Sequence, residues 1–198
     1  MVKENNRLYS DVSYNSEKKR MVEMQTSKFH LLILTVLTPA LLISCQNQKM
    51  QDELAKFQKL KAVESKNIEV IKKFYISVDE QNLEACSELF SADNKGYMGS
   101  SNKSFNFEDI KPLIRNSYIA FPDYKHEIEN IFASDDFVVA QLNYTATHQG
   151  RFMEIESTGN KIEYKGMCIF KIIDGKISEL WGIDDDLAMM TQLGLKLK

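Results

Sequence analysis

The residues best suited to chemistry stand near the end of this sequence, where a single tryptophan precedes a cluster of carboxylates. The segment reads Trp181-Gly182-Ile183-Asp184-Asp185, and an earlier strand-like segment ends at His148. If the two segments are neighbours in one small curved sheet, an imidazole and a carboxylate meet at one cavity. Such a pair can accept and return protons by general acid–base catalysis. The pattern therefore predicts acid–base chemistry that needs neither a metal site nor a cofactor.

The same residues also have structural explanations, and both readings stay open at this point. Asp185 follows a strand and opens a helix, where Asp is a favoured N-cap. His148 could be a hydrogen-bonded surface histidine at the end of a strand. Trp181 could wall a pocket or simply belong to the core. Asp184 would make the mouth of the pocket more polar.

Two long alternating segments supply the strands that would position these groups. Residues 137–148 carry apolar and aromatic side chains on one face, and residues 161–173 repeat the pattern. Tyr144 and Tyr164 fall on these faces, so we expect both to line the pocket with their hydroxyls as polar handles. Asp174-Gly175 is a strong hairpin signal that returns the chain through a strand over residues 176–183.

Helices are predicted on either side of these strands. Apolar residues from Ile68 to Val78 have helical spacing, and a short helix follows over residues 83–90. A loop rich in Ser, Asn and Gly is predicted over 91–104. A third helix is predicted over 109–120, with Asp109 as N-cap and Pro112 in the first turn. Further elements are a strand over 124–132 and a closing helix over 185–193.

This order of elements predicts an α+β fold with N-terminal helices packed on a curved antiparallel sheet. A few long strands covered by helices on one face curl into a half-barrel. The space between the sheet and the helices is a usual place for a small-ligand site.

The front of the chain is predicted to be a targeting signal. Residues 31–43 are largely apolar and follow Lys28, but they are too few to span a membrane comfortably. Leu42-Ile43-Ser44-Cys45 resembles a bacterial lipobox, which implies cleavage before Cys45 and lipidation of its thiol. We expect residues 1–44 to be a signal segment, whose true start is Met1, Met21 or Met24.

The predicted signal also determines how the rest of the chain is divided and where the protein is expected to be located. Residues 45–66 are expected to form a polar, partly helical tether, and residues 67–198 a single domain. The lipid on Cys45 would anchor the protein to a membrane of the bacterial cell envelope, on the periplasmic side or in the outer membrane. The alternatives are an uncleaved signal anchor and a buried apolar helix.

Composition narrows the set of partners. The chain has 28 acidic against 25 basic residues and no basic stripe, which argues against a nucleic-acid partner. Cys86 and Cys168 have neither metal-site spacing nor a CxxC arrangement, so we expect packed thiols, with a disulfide as the alternative.

Several short motifs, taken together, resemble a known family. They are Phe121-Pro122-Asp123, Thr147-His148-Gln149-Gly150, Thr158-Gly159, Asp174-Gly175-Lys176 and Gln192-Leu193-Gly194. In this order and spacing they resemble the SnoaL-like polyketide cyclases, also called ester cyclases, of the NTF2-like superfamily. The resemblance covers residues 67–194 and implies the NTF2-like cone.

The resemblance also implies a reaction. Cyclases of this kind close a ring by cofactor-independent intramolecular aldol condensation, in which a carboxylate removes a proton next to a carbonyl group. Carried over by position, Asp185 would be the general acid–base and His148 its partner. The ligand would then be a small apolar or carbonyl-containing molecule. The alternatives are a non-catalytic module that binds a small ligand or a partner, and self-association as a homodimer through the open sheet face.

Overall fold

The computed structural model describes residues 21, 24–25 and 47–196. The chain divides into two compact units, residues 1–57 and residues 58–198, and the second contains the whole sheet. Cys45 and nearly all of the expected signal lie outside the described residues, so the lipid anchor stays a prediction. Within the described part, no helix combines the length and the apolar character that crossing a membrane requires.

Nine elements follow one another from residue 47 onward. They are helix α1 (described over residues 47–79), helix α2 (Leu83–Ser87), strand β1 (Phe90–Met98), helix α3 (Phe107–Ala120), strands β2 (Lys125–Ser134), β3 (Phe137–Thr147), β4 (Lys161–Ile173) and β5 (Lys176–Asp184), and helix α4 (Asp186–Gln192).

The strands form one curved, unclosed sheet in the order β1-β5-β4-β3-β2. Strands β2, β3, β4 and β5 pair with one another in antiparallel, and β1 pairs in parallel with β5 at the edge. Asp174 and Gly175 have φ values of 50° and 74°, which fit the predicted two-residue hairpin. The helices pack on the inner face of the sheet, and the predicted α+β fold is confirmed.

The core lies between the inner face of the sheet and the helices. The alternating residues predicted to point inward from β3 and β4 are buried, as the period of two requires. Phe170 of β4 is fully buried, and its ring centroid lies 6.0 Å from those of Phe74 and Tyr75 on α1. Cys86 and Cys168 are both buried free thiols, as the favoured prediction had it.

The prediction of a loop over residues 91–104 is wrong in its first half, because residues 91–98 belong to strand β1. The residues there favour turns, but pairing with β5 imposes an extended backbone, with an irregularity between Phe90 and Lys95. Asn94 stabilises this segment, because its amide donates to the carbonyl of Ser91 and its Oδ1 accepts from the backbone N–H of Phe107.

The predicted start of the third helix is also wrong. Helix α3 begins at Phe107, because the side chain of Asn106 accepts a hydrogen bond from the N–H of Glu108 and acts as the N-cap. Asp109 lies in the first turn instead, and Pro112 lies inside the helix.

The outer face of the sheet carries several exposed apolar side chains. Ile183 is 67% exposed, and Trp181 stacks on Tyr97 with ring centroids 6.0 Å apart. Further exposed apolar residues on these strands are Phe132, Phe137, Met167 and Ile169.

Candidate functional site

A cavity of about 570 Å³ lies between the inner face of the sheet and helices α1 and α3. Most of its lining residues are apolar or aromatic, as is usual for sites that bind small molecules. The lining residues that carry polar groups are Ser101, Lys103, Ser117, His126, Asp184, Asp186 and the tyrosines Tyr75, Tyr118, Tyr124, Tyr144 and Tyr164.

Cross-strand pairing brings the central polar groups together. His126 of β2 lies opposite Tyr144 of β3, which lies opposite Tyr164 of β4. Asp184, the last residue of β5, lies opposite Gly166 of β4. Because side chains two residues apart share a face, these groups line one side of the cavity.

Asp184 is a partly buried carboxylate in this row. Burial is the main cause that raises the pKa of Asp184, and the charge of Asp186 raises it further. The hydroxyl of Tyr144 donates a 3.0 Å hydrogen bond to Oδ1 of Asp184, which lowers the pKa, as does the nearby His126. Burial prevails, so the charged form of Asp184 is more basic than that of an exposed aspartate.

These causes act in opposite directions, which yields a paired prediction. Tyr144→Phe removes a donor to the charged form, so we expect the pKa of Asp184 to rise further. Asp186→Asn removes a like charge, so we expect the pKa of Asp184 to fall. Carbon-13 NMR titration of the aspartate carboxyls measures both shifts. Shifts of the same sign in the two variants would contradict this account.

The contact between Tyr144 and Asp184 requires a glycine beneath it. A Cβ atom at Gly166 would clash with the carboxylate of Asp184 and would lie 2.5 Å from Cε2 of Tyr144. Any side chain here would occupy the space in which the hydroxyl and the carboxylate meet.

We therefore expect Gly166→Ala to lower the unfolding free energy by about 1–3 kcal/mol, the usual cost of overpacking. It should also separate Tyr144 from Asp184. Gly182→Ala is the matched control on β5, because its Cβ would meet the flexible end of Met98, with Sδ at 2.7 Å. Thermal unfolding compares the two variants, and equal midpoints would contradict the prediction.

Two more tyrosines extend the polar row. The hydroxyls of Tyr124 and Tyr164 share a short hydrogen bond. Burial raises the pKa of Tyr164 to about 12 and also raises the pKa values of Tyr124 and Tyr144. All three hydroxyls therefore keep their protons at neutral pH. Tyr144 donates its proton to Asp184, and one proton of the Tyr124–Tyr164 pair is used between the two rings. The other proton of that pair is left to donate to an oxygen atom of a bound molecule.

Asp185 does not line the cavity. It is exposed, and its side chain accepts a 2.9 Å hydrogen bond from the N–H of Ala188 as the N-cap of α4. The strand alternation that turns Asp184 inward ends here, so the two neighbouring carboxylates have different surroundings. The geometry matches the capping alternative of the sequence analysis.

His148 is fully buried, and it lies behind the cavity wall rather than in it. Its ring stacks on Phe121 with centroids 5.2 Å apart. Nδ1 accepts from the backbone N–H of Thr158 at 3.3 Å and lies 3.0 Å from the Thr158 hydroxyl. Among the described residues, no hydrogen bond or ion pair joins His148 to Asp185, so the predicted pair is not assembled.

The predicted pocket-lining residues divide between the two faces of the sheet. Tyr144, Tyr164 and Asp184 line the cavity. Trp181 does not, because its position on β5 turns it to the outer face, where it stacks on Tyr97. The structure therefore matches neither reading of Trp181, since it is neither a wall of this cavity nor a residue of the buried core.

Sequence reasoning missed the histidine that does line the cavity. His126 is hydrogen-bonded to Asp79, the last residue of α1. The signal that could have found these two residues is their spacing relative to neighbouring apolar and aromatic residues. His126 shares one face of the extended segment with Tyr124 and Ile128, and Asp79 follows the buried Tyr75 by one helical turn.

Comparisons with known proteins agree with this architecture. The chain is similar to the structure of AclR from Streptomyces galilaeus, a candidate hydroxylase, at 25% identity and TM-score 0.61, over 66% of this chain and 82% of that one. It is also similar to IdmH from Streptomyces antibioticus, a candidate polyketide cyclase, at 24% identity and TM-score 0.60, over 65% and 99% of the two chains.

A third structure, a candidate SnoaL-like polyketide cyclase from Jannaschia sp. CCS1, is 20% identical with TM-score 0.62, over 68% of this chain and 96% of that one. No curated protein sequence matches this chain. The sequence profile of the SnoaL-like polyketide cyclases matches residues 69–193, which is more than half of the chain. The protein therefore belongs to the SnoaL-like polyketide cyclase family.

Proposed function

We propose that this protein catalyses proton transfer at a carbon atom next to a carbonyl group, in a cyclisation or isomerisation of a small molecule. The observation that carries the proposal is the burial of Asp184, which raises its pKa inside an apolar cavity. A base is most effective when its pKa lies near the working pH. The membership of the chain in a cyclase family supports the same class of reaction.

The roles follow from the chemistry of the groups. Ionised Asp184 takes the proton from the carbon atom, and the electrons of the C–H bond move toward the carbonyl oxygen. The hydroxyl proton that is left free in the Tyr124–Tyr164 pair is donated to the enolate oxygen that forms. Asp184 then returns its proton to the product. We assign this role to Asp184 rather than to Asp185, because the carboxylate of Asp185 is engaged as a helix cap.

The reaction can be tested without knowledge of the natural substrate. A panel of β-keto esters is incubated with the protein in weakly acidic D₂O, where uncatalysed exchange is slow. Proton NMR follows the loss of the signal from the carbon atom between the two carbonyl groups. We expect exchange above the buffer rate for at least one ester, and exchange at the buffer rate for every ester would contradict the proposal.

A second candidate function is the binding of a small apolar ligand without turnover. The lipobox-like sequence before Cys45 favours it, because a cell-envelope protein would lie apart from the cytoplasmic carriers of polyketide precursors. Export and lipid attachment are part of both candidates. An ester that raises the thermal midpoint but shows no exchange would favour this second function.

We also propose that the protein forms a homodimer through the outer face of the sheet. The exposed apolar side chains on that face, including Met167 and Ile183, support this. Size-exclusion chromatography with light scattering measures the mass in solution, and a monomer at high concentration would contradict the dimer.

A further inference from the structure

A second acid–base pair faces the same cavity, built from one helix and one strand. Nδ1 of His126 lies 2.7 Å from Oδ1 of Asp79, the last residue of α1. The same oxygen accepts the backbone N–H of His126 at 3.1 Å. The carboxylate therefore holds both the ring and the main chain of the histidine. The side chains of His126 and Asp79 are only 13% and 17% exposed.

This bond determines which ring nitrogen is available. A carboxylate accepts hydrogen bonds, so the neutral ring of His126 carries its proton on Nδ1. Nε2 then bears a lone pair, and it makes no hydrogen bond to any residue in the described part of the chain. The ring lines the cavity, so Nε2 is the atom offered to a bound molecule.

Aromatic rings hold this imidazole in place. The ring centroids of Tyr75, Tyr124 and Tyr144 lie 5.4, 4.8 and 5.3 Å from that of His126. Such packing restricts rotation of the ring and limits the access of water to Nε2. The titratable or charged groups around His126 are Asp79, Lys125, Asp184 and these three tyrosines.

We propose that His126 and Asp79 form a second proton-accepting unit of this cavity, with Nε2 as the accepting atom. The proposal concerns the site of the proposed function, but it does not require Asp184 to act. Nε2 takes the proton of an acidic C–H or O–H bond, and the electrons of that bond stay on the bound molecule. Asp79 pairs with the imidazolium that forms, and the proton later returns to the product or to water.

This unit widens the class of substrate. With one base at Asp184 and another at His126, the cavity can exchange protons at two positions of one molecule. The ligand class is therefore a carbonyl compound with a second acidic group, such as an enol or a phenol.

The first test reads the proton position directly. The chain contains three histidines, so nitrogen-15 labelling of histidine gives a simple NMR spectrum. We expect His126 to carry its proton on Nδ1. His148 is the internal control with the opposite tautomer, because its Nδ1 accepts from the N–H of Thr158. In Asp79→Asn, His126 should shift toward the Nε2–H form while His148 stays unchanged, which also shows that the fold is intact.

The second test measures basicity with a probe that any suitably placed base can convert. A base removes the ring-carbon proton of 5-nitrobenzisoxazole, the N–O bond breaks, and a coloured cyano-nitrophenolate forms. We expect the protein to exceed the rate of free imidazole at equal concentration. His126→Gln should lower the rate by about 100-fold, and Asp79→Asn by a smaller factor. Asp174→Asn, in the exposed β4–β5 turn, is the control and should leave the rate unchanged.

The outcomes separate this inference from the proposed function. An unchanged rate in His126→Gln, no acceleration over free imidazole, or a wild-type His126 protonated on Nε2 overturns the inference. If Asp184→Asn lost the rate while His126→Gln kept it, the inference would be overturned as well, and the proposed function would stand. A His126-dependent rate without exchange in the β-keto esters would support the inference and count against the proposed function.

Discussion

Asp184→Asn is expected to lower proton exchange strongly and, at the same time, to stabilise the folded protein at neutral pH. The amide cannot accept a proton from carbon, so exchange in a responsive β-keto ester should fall by about 100-fold or more. The amide oxygen can still accept the hydrogen bond of Tyr144. The effect on stability arises because burial disfavours the charged carboxylate that the variant lacks.

The sign of the pH dependence follows from the direction of the pKa shift. The pKa of Asp184 is higher in the folded than in the unfolded chain, so the folded state binds the proton more tightly. The wild type therefore has its full stability below the ordinary carboxyl pKa of about 4, and it loses stability as the pH rises through the raised value. Asn has no such dependence.

Thermal unfolding midpoints of the wild type and of Asp184→Asn, measured from acid to neutral pH, check the prediction. The midpoint of Asp184→Asn should exceed that of the wild type at neutral pH, and the gap should shrink toward acid pH. Asp174→Asn removes a carboxylate outside the cavity, so this variant should show no such gap. A variant less stable than the wild type at neutral pH would show that the charged form of Asp184 is favoured by the fold.

Phe170→Ala is expected to cost about 3–5 kcal/mol, the typical loss for truncation of a buried phenylalanine. This is a large part of the 5–15 kcal/mol that stabilises an ordinary domain. Phe170 is fully buried against Phe74 and Tyr75. It also lines the cavity, so the variant should have a larger cavity as well as a less stable fold.

The neighbouring Ile169→Ala provides the control for this prediction. Ile169 is 40% exposed on the outer face of the same strand, so its truncation should cost much less. Urea unfolding monitored by circular dichroism gives both free energies. Similar losses in the two variants would mean that the two faces of β4 contribute equally, contrary to the structure.

The sheet could be predicted where the sequence alternates strongly. Strands β3 and β4 bury every second side chain against the helices. The turn at Asp174-Gly175 makes β5 the hairpin partner of β4. Strand β1 could not be predicted, because its turn-forming residues become extended only by pairing with β5, distant in sequence.

The site was predictable only in part, for related reasons. The sequence placed a carboxylate at the end of β5, but choosing between Asp184 and Asp185 requires knowing where the strand ends and the helix cap begins. The contact between Asp79 and His126 joins residues 47 positions apart, and local periodicity does not reveal it. His148 drew attention through its motif, yet its ring supports the wall behind Phe121.

The edge position of β1 has a consequence for how the domain opens. The β4–β5 hairpin closes a short loop, whereas β1 joins β5 through contacts such as Phe90 with Ile177 that are far apart along the chain. Such distant contacts form slowly during folding, and segments with exposed backbone hydrogen bonds and few buried contacts open more readily than the core strands of a domain. The chain from β1 to α3 includes Ser101, Lys103 and Phe105, which line the cavity. Local release of this one edge would admit a ligand to the cavity while the four antiparallel strands stay folded.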